Sequence, residues 1–288
     1  MRDEISWKEI DFLIEGALAE DFGKAGDITT QAAVPVHQRC KAELIAKEAG
    51  MIAGLSVFQR VFYKVDPEIQ LAFSVQDGAK VKKGVVIGTI NGNIPNLLKA
   101  ERTALNFLQH LSGIATYTNQ CVQAVKGTKA KITDTRKTTP LLRLLEKYAV
   151  RVGGGENHRL GLYDMMLIKN NHVDVCGGIS QAVRQCMDYC DRKNLQVLIE
   201  VETRTIHELK EAMRFPVHRI MLDNMNLGTM KRAVEMVQGR ITLEASGNIS
   251  LENIRDVAET GIDYISIGAL THSVRALDLS LRLLVRDK

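Results

Sequence analysis

Eight side chains that are or can be cationic crowd into one stretch of this chain: Arg136, Lys137, Arg143, Lys147, Arg151, His158, Arg159 and Lys169. Guanidinium forks make bidentate contacts to carboxylates and phosphates, and clustered cations without a counter-charge repel one another, so the cluster expects an anionic ligand. Acids follow further along: Glu200 and Glu202, then Asp223 beside Asn224. Paired carboxylates opposite a cationic wall can hold Mg²⁺ through oxygen ligands or stabilise positive charge as it develops. Ser246-Gly247-Asn248 and Gly268-Ala269-Leu270, with His272 close behind, complete the set. Glycine at the end of a strand, opening a short helix, leaves backbone N–H groups free for a phosphate. A small, multiply anionic substrate together with a phosphorylated sugar would satisfy all three groups.

Convergence of these residues requires elements that bring them to one place. From residue 131 onward short apolar runs (KITDTRK, MMLIKNNH, VLIEVET, RIMLDNM, ITLEASGN, YISIGALTHS) each end in polar residues and are each followed by a helix-compatible segment. The later runs recur at roughly 21 residues, room for a short strand, a short helix and tight turns. Repeated β-then-α with strands apolar on both faces is the pattern of a parallel sheet. The reading is α/β: a TIM-like (β/α) barrel that need not be complete. Its active site lies at the carboxyl ends of the strands, where Arg136, Lys137, His158, Arg159 and Lys169, the acids and the two glycine-bearing turns fall. An open doubly wound sheet fits less well, because no Gly-x-Gly-x-x-Gly turn is present and polar residues end every strand. Thr139-Pro140 reads as a helix start, Thr at the N-cap and Pro at the first helical position, with Arg136 and Lys137 in the turn before it. Glu200 alternates onto the same face as Glu202, one layer deeper, and its burial calls for a partner, for which Lys169 is the candidate.

The first part of the chain has a different grain. Residues 4 to 20 place Ile5, Ile10, Phe12, Leu13, Ala17 and Leu18 at helical spacing, and Gly23 can stop that helix. From about 37 to 98, KAELIAKEAG, LAFSVQDGAKV and KKGVVIGTING alternate and break at glycine, as hairpins do. A long helix over about 99–125 then leads into the barrel. The expected division is an N-terminal α+β sandwich domain over 1–112 and a catalytic barrel over 113–288, with a C-terminal helix at 273–288 packing back on the first domain.

Composition excludes several other classes. At 288 residues and net charge +4, the whole-molecule field says little about partners. Only Tyr148 and Tyr163 interleave the basic stretch, too few aromatics for a nucleic-acid stacking platform. Five cysteines without a C-x-x-C pair argue against a disulfide framework and a zinc knuckle; Cys186 and Cys190, one helical turn apart, lack a His at ligand spacing. The start has no basic stretch followed by an apolar core, and no run nears the ~20 apolar residues of a membrane span, so a cytoplasmic protein is expected. The turns around Asp77-Gly78 and Lys83-Gly84 look like those of a lipoyl carrier, but no lysine stands between two apolar residues at a hairpin tip for attachment.

Taken in order, EDFGKAGDITT, AERTALNFLQHLSGIAT, DTRKTTP, LLEKYAV, GGGENHRLGLYDMMLIKNNH, EVET, MLDNM, EASGNI and GIDYISIGALTHS closely resemble the quinolinate phosphoribosyltransferase family, also called nicotinate-nucleotide pyrophosphorylase (carboxylating). The resemblance runs over nearly the whole chain. It implies a decarboxylating glycosyltransferase of NAD biosynthesis, in which quinolinate and 5-phosphoribosyl 1-pyrophosphate give nicotinate mononucleotide, pyrophosphate and CO₂ with Mg²⁺. Carried over by position, Arg136, His158 and Arg159 would bind the quinolinate carboxylates, and Lys137 and Lys169 would contact substrate or pyrophosphate. Glu202 and Asp223 would hold the ribose hydroxyls and Mg²⁺. Ser246, Gly247, Gly268 and His272 would take the 5-phosphate. Arg102 would reach into a partner subunit's site, making a homodimer the working unit, alone or assembled into hexamers. Two positions depart from the pattern: Asn170 where the family often has Asp, and Asn248 where it often has Gly.

Two rivals remain to be weighed. A related phosphoribosyltransferase for another pyridine carboxylate would leave part of the Arg136, His158, Arg159 and Lys169 set unpaired if its substrate were a monocarboxylate. A non-catalytic sugar-phosphate-binding homologue would be expected to have lost Glu202, Asp223 or the lysines, and all are present.

Overall fold

The computed structural model describes residues 7–284. The chain begins with α1 (Trp7–Phe22), α2 (Ile28–Ala33), β1 (Arg39–Ala46), β2 (Gly50–Met51), α3 (Leu55–Val65), β3 (Gln70–Phe73), β4 (Lys80–Val81), β5 (Val86–Asn93) and the long α4 (Ile94–Ala124). It continues through β6 (Lys131–Thr133), α5 (Arg143–Val152), β7 (Met165–Ile168), α6 (Asn170–Cys176), α7 (Ile179–Lys193), β8 (Leu198–Thr203), α8 (Ile206–Ala212) and β9 (Arg219–Asp223). Last come α9 (Leu227–Val237), β10 (Thr242–Ser246), α10 (Ile254–Ala258), β11 (Tyr264–Ser266), α11 (Ala269–His272) and β12 (Leu279–Leu284). Two compact units share the chain: one holds the described residues up to 117, then 139–153 and those from 274, and the other holds 118–138 and 154–273.

In the first unit a four-stranded antiparallel sheet has the order β12-β1-β5-β3, with β2 and β4 paired separately. The alternation of β1 is visible in its burial, since Ala42, Leu44 and Ala46 point inward. The segments read as hairpins are strands, but β1 pairs with β5 and β12 rather than with a sequence neighbour. The α3 helix between them was masked by its apolar density, with Leu55, Val57, Phe58, Val61 and Phe62 all buried. On α1 the buried stripe is Ile10, Ile14 and Leu18, and Phe12 lies on the exposed face; Ile5 is outside the described residues. The expected C-terminal helix over 273–288 is instead strand β12, because Leu279, Leu281 and Leu283 alternate with Ser280 and Arg282 as a strand requires; residues 285–288 are outside the described ones.

Just before β12 the chain returns close along α4, where the Gln109 carbonyl accepts the Leu277 N–H at 3.0 Å and Gln109 Nε2 donates to the Leu279 carbonyl at 2.9 Å. Gly113 makes this approach possible: a Cβ there would collide with the backbone carbonyl of Arg275, which cannot move aside like a side chain. Gly113→Ala is therefore expected to destabilise the protein by about 1–3 kcal/mol, read as a lowered thermal midpoint with retained fold.

The second unit is the expected α/β element. Six parallel strands follow the order β6-β11-β10-β9-β8-β7. Sequence neighbours are spatial neighbours from β7 to β11, and β6 closes onto β11, so the sheet is a (β/α) barrel with a seam between β6 and β7. At the seam, among the described residues, Thr133 of β6 bridges to Glu156 in the segment that precedes β7. Strand interiors are apolar on both faces, as in Ile220, Met221 and Leu222 of β9. The exceptions are the buried acids Glu200 and Glu244.

Candidate active site

Parallel strands deliver their carboxyl ends to one rim, and the rim carries the predicted residues in spatial order. Arg136 and Lys137 follow β6, and Gly268 and His272 follow β11. Ser246 and Gly247 close β10, Asp223 and Asn224 close β9, Glu202 stands near the end of β8, and Lys169 follows β7. A Cβ on Gly268 would lie 3.0 Å from His272 Nε2 and 3.1 Å from Lys137 Cδ, so these three meet at one point, where Thr271 Oγ1 also donates to the Lys137 carbonyl at 2.8 Å. Arg102 belongs to the other unit, on an exposed face of α4.

Thr139-Pro140 does not start a helix. Leu141 takes φ 68°, which breaks helical continuity, and α5 begins only at Arg143. The Thr139 N–H is held instead by buried Glu146 Oε2 at 3.1 Å, whose Oε1 faces His110 Nε2 at 2.8 Å. Gly247 likewise opens no helix, since α10 does not begin until Ile254; the donors there are those of a turn. Gly268 does open α11, a helix of four residues.

Buried Asp134 holds the GGGENHR loop against β6: Oδ1 accepts the His158 N–H at 2.9 Å and Oδ2 accepts Asn157 Nδ2 at 2.6 Å. Arg159 follows, buried, with Nη1 donating to the Met165 carbonyl at 3.1 Å. Burial, and next the charge of Arg136, hold the Arg159 pKa below its ordinary value. Two guanidiniums within electrostatic reach of each other are tolerated when an anion fills the space between them. Arg136 Nε is itself buried without a hydrogen-bond partner among the described residues.

His158 is tied inward. Its Nδ1 accepts the Arg159 N–H at 2.8 Å, which leaves the ring proton to Nε2, and Nε2 stands 3.0 Å from Glu200 Oε2 and 3.7 Å from Glu244 Oε2. The first of these is an ionic approach rather than an aligned hydrogen bond, since both Glu200 oxygens lack a hydrogen-bond partner among the described residues. The partner of Glu200 is thus His158 and not Lys169, whose side chain leaves the barrel at the exposed rim. As placed, His158 meets an incoming carboxylate only by turning its ring.

Glu244 and Arg219 were not singled out from the sequence. Arg219 Nη1 donates to Glu244 Oε2 at 2.6 Å, and its guanidinium lies 4.1 Å over the Tyr264 ring. The signal was present in the acid of ITLEAS, which alternation turns inward as it does Glu200 in VLIEVET. His158, Glu200 and Glu244 offer ligand atoms within 4.8 Å of one another, but Arg219 already supplies the cation there, so the cluster reads as a charge network rather than a metal centre. Burial, then Glu200, push the Glu244 carboxyl up to about 7, and burial pushes Glu200 up to about 7 as well. A carboxyl whose folded pKa stands above its unfolded one favours the fold in its protonated form. Its stabilisation is complete below about 4.5 and is lost as the pH rises to about 7. Glu244→Gln keeps the acceptor for Arg219 without the titration, so its thermal midpoint relative to wild type is expected to improve between pH 5 and pH 8. An unchanged difference across that range would contradict the assignment.

Glu202 and Asp223 are half-buried on adjacent strands. Burial, then the charge of Asp223, raise the Glu202 pKa, while the Asn170 N–H and the nearby Lys169 lower it. The departure at Asn170 is without cost to this contact, which uses the backbone. Neither acid forms an ion pair among the described residues. Two hard oxygen donors that repel each other, with Lys169 nearby but no ion pair formed among the described residues, could hold a hydrated Mg²⁺.

Known proteins resemble the chain along nearly its whole length. Residues 27–112 match the family model of the quinolinate phosphoribosyl transferase N-terminal domain, and residues 114–282 match that of the C-terminal domain. Quinolinate phosphoribosyltransferase [decarboxylating] 2a, mitochondrial, of Nicotiana tabacum is 45% identical over 282 residues, covering 93% of this chain and 80% of that protein. The probable nicotinate-nucleotide pyrophosphorylase [carboxylating] of Bacillus subtilis is 42% identical over 269 residues, covering 93% of this chain and 91% of that protein. The crystal structure of NadC from Streptococcus pyogenes superposes with a TM-score of 0.92 at 42% identity, covering 98% of this chain and 99% of that one. With the two family models matching residues 27–112 and 114–282 in turn, and a relative 45% identical over 93% of the chain, the chain belongs to the quinolinate phosphoribosyltransferase family.

Proposed function

We propose that this chain transfers the phosphoribosyl group of 5-phosphoribosyl 1-pyrophosphate to quinolinate, and that the barrel rim divides the work among its residues. The observation that carries this reading is the Arg136–Arg159 pair, two mutually repelling guanidiniums set on the same rim as Glu202 and Asp223. Arg136 and Arg159 bind the two carboxylates of quinolinate, with His158 behind Arg159. Lys137 and Lys169, both exposed at the rim, face the pyrophosphate. Ser246, Gly247, Gly268 and His272 grip the 5-phosphate through turn N–H groups and the imidazole. Glu202 and Asp223 hold the ribose hydroxyls and would hold Mg²⁺, which supplies charge neutralisation for the pyrophosphate. Arg102, exposed on α4, is free to serve a second copy, which supports a homodimer with shared sites.

The pyridine nitrogen attacks C1 of the ribose as the bond from C1 to the pyrophosphate oxygen breaks. The positive charge that develops on the sugar is stabilised by Glu202 and Asp223, and the lysines steady the leaving group. No protein nucleophile is needed. In the resulting adduct the quaternary ring nitrogen stabilises the electron pair left at C2 when CO₂ departs, and C2 then takes up a proton to give nicotinate mononucleotide. No described helix is long and apolar enough to cross a membrane, and five cysteines that form no disulfide fit a reducing compartment such as the cytoplasm.

Release of labelled CO₂ from carboxyl-labelled quinolinate tests this directly. Release should require 5-phosphoribosyl 1-pyrophosphate and Mg²⁺ and should collapse in Arg136→Ala. Turnover of nicotinate instead would identify a monocarboxylate transferase, and turnover of neither a non-catalytic homologue.

A further inference from the structure

The loops after β9 and β10 are laced together by side-chain amides. The Asn224 N–H donates to the Ser246 carbonyl at 2.8 Å, Asn248 Nδ2 donates to Asn224 Oδ1 at 3.0 Å, and Asn224 Nδ2 donates to Asp223 Oδ1 at 3.0 Å. Asn253 anchors the far end, its Nδ2 donating to the Asn248 carbonyl at 3.0 Å while its Oδ1 accepts the Ser250 N–H at 2.9 Å. The backbone serves this lacing. Asn224 and Asn248 take φ 53° and 52°, a left-handed conformation that asparagine accepts more readily than other side chains, and Gly247 takes φ 101°. A Cβ on Gly247 would collide with the Asn224 carboxamide, so the glycine leaves the space that this amide fills.

We propose that Asn224 and Asn248 are positioning residues that hold the Asp223 carboxylate in register with the Ser246-Gly247 turn, so that the sugar end and the phosphate end of one ligand are gripped as a unit. The proposal rests on the functional reading above, which gives the turn to the 5-phosphate and Asp223 to the ribose. A free aspartate at a strand end samples several rotamers, and binding a sugar phosphate would then have to order it. The amide chain removes that cost by fixing one carboxylate oxygen, leaving the other for the ligand. Order in the turn is thereby transmitted to a group on the neighbouring strand.

Two substitutions at the exposed position 248 separate this role from simple loop stability. Glycine adopts φ 52° without strain, so Asn248→Gly removes the donor alone; Asn248→Asp keeps the shape but presents an acceptor to Asn224 Oδ1. In calorimetric titration with ribose 5-phosphate, both variants are expected to bind about fivefold more weakly than wild type, the span of one neutral hydrogen bond. Their affinity for inorganic phosphate should stay within twofold, because the turn itself is intact. The KM for 5-phosphoribosyl 1-pyrophosphate should rise in parallel while that for quinolinate does not. In the Asp223→Asn background, Asn248→Gly should have no further effect on ribose 5-phosphate binding, because the carboxylate it aims is gone. Equal loss of inorganic phosphate and ribose 5-phosphate affinity would mean a collapsed turn and would overturn the proposal, as would effects of the two substitutions that multiply. Wild-type protein that binds neither probe nor turns over would instead overturn the functional reading, and the proposal with it.

Discussion

Arg159→Ala is expected to lower kcat/KM for quinolinate by a hundredfold or more, with the KM for 5-phosphoribosyl 1-pyrophosphate within about twofold of wild type. The size follows from the setting. Truncating one partner of a desolvated, hydrogen-bonded charge pair costs about 2–5 kcal/mol, and each 1.4 kcal/mol is tenfold. Arg159 is buried, its Nη1 is fixed on the Met165 carbonyl, and its neighbour Arg136 is a like charge, so the remaining guanidinium nitrogens are aimed rather than mobile. Arg159→Lys keeps the charge but loses the fork, and should recover only part of the loss. Steady-state kinetics with quinolinate varied at saturating cosubstrate checks both variants, and the thermal midpoint shows whether the loop against Met165 survives. A rise in KM for both substrates alike would place Arg159 in the scaffold and not in the carboxylate pocket.

Most of the barrel was legible because its signals are local. Each strand is a short apolar run, its polar end is the rim, and parallel order forces the ends together, so Arg136, Lys137, Lys169, Glu202, Asp223 and Ser246 could be placed without knowing a single contact. What escaped depends on pairing across distance. β1 finds β5 across four intervening elements and β12 across nearly the whole chain, and no turn residue announces that choice. The C-terminal segment shows the same limit, since its leucines suit a helix or a strand until the edge of β1 is offered as a partner. At Thr139-Pro140 the capping chemistry was sound but local, and Glu146, fixed by His110, took the Thr139 N–H for another geometry. Lys169 was the obvious cation for Glu200 by sequence proximity to the rim; depth in the barrel decided for His158. Buried polar partners are set by layer, and layer is the property that linear spacing reveals least.

The acids carry the other large effect. Glu202→Gln is expected to reduce kcat by about a hundred- to a thousandfold, the range for removing one preorganised electrostatic group at a developing charge. KM for quinolinate should be little changed, since the proposed carboxylate pocket is that of the arginines. Asp223→Asn should show a loss of the same order, and the double variant should be far less impaired than the product of the two, because in the proposed mechanism both acids serve one charge on the sugar. The pH profile distinguishes this role from packing. In the proposed mechanism Glu202 acts as the carboxylate, so activity should fall as the pH drops through its pKa, which burial and then Asp223 raise above the ordinary glutamate range. Asp223→Asn removes the like charge and leaves the burial, so the acid limb of kcat/KM for 5-phosphoribosyl 1-pyrophosphate should move to lower pH without vanishing. A limb that stays in place would show that another group controls it, and near-normal turnover by Glu202→Gln would remove the carboxylate from the chemistry altogether.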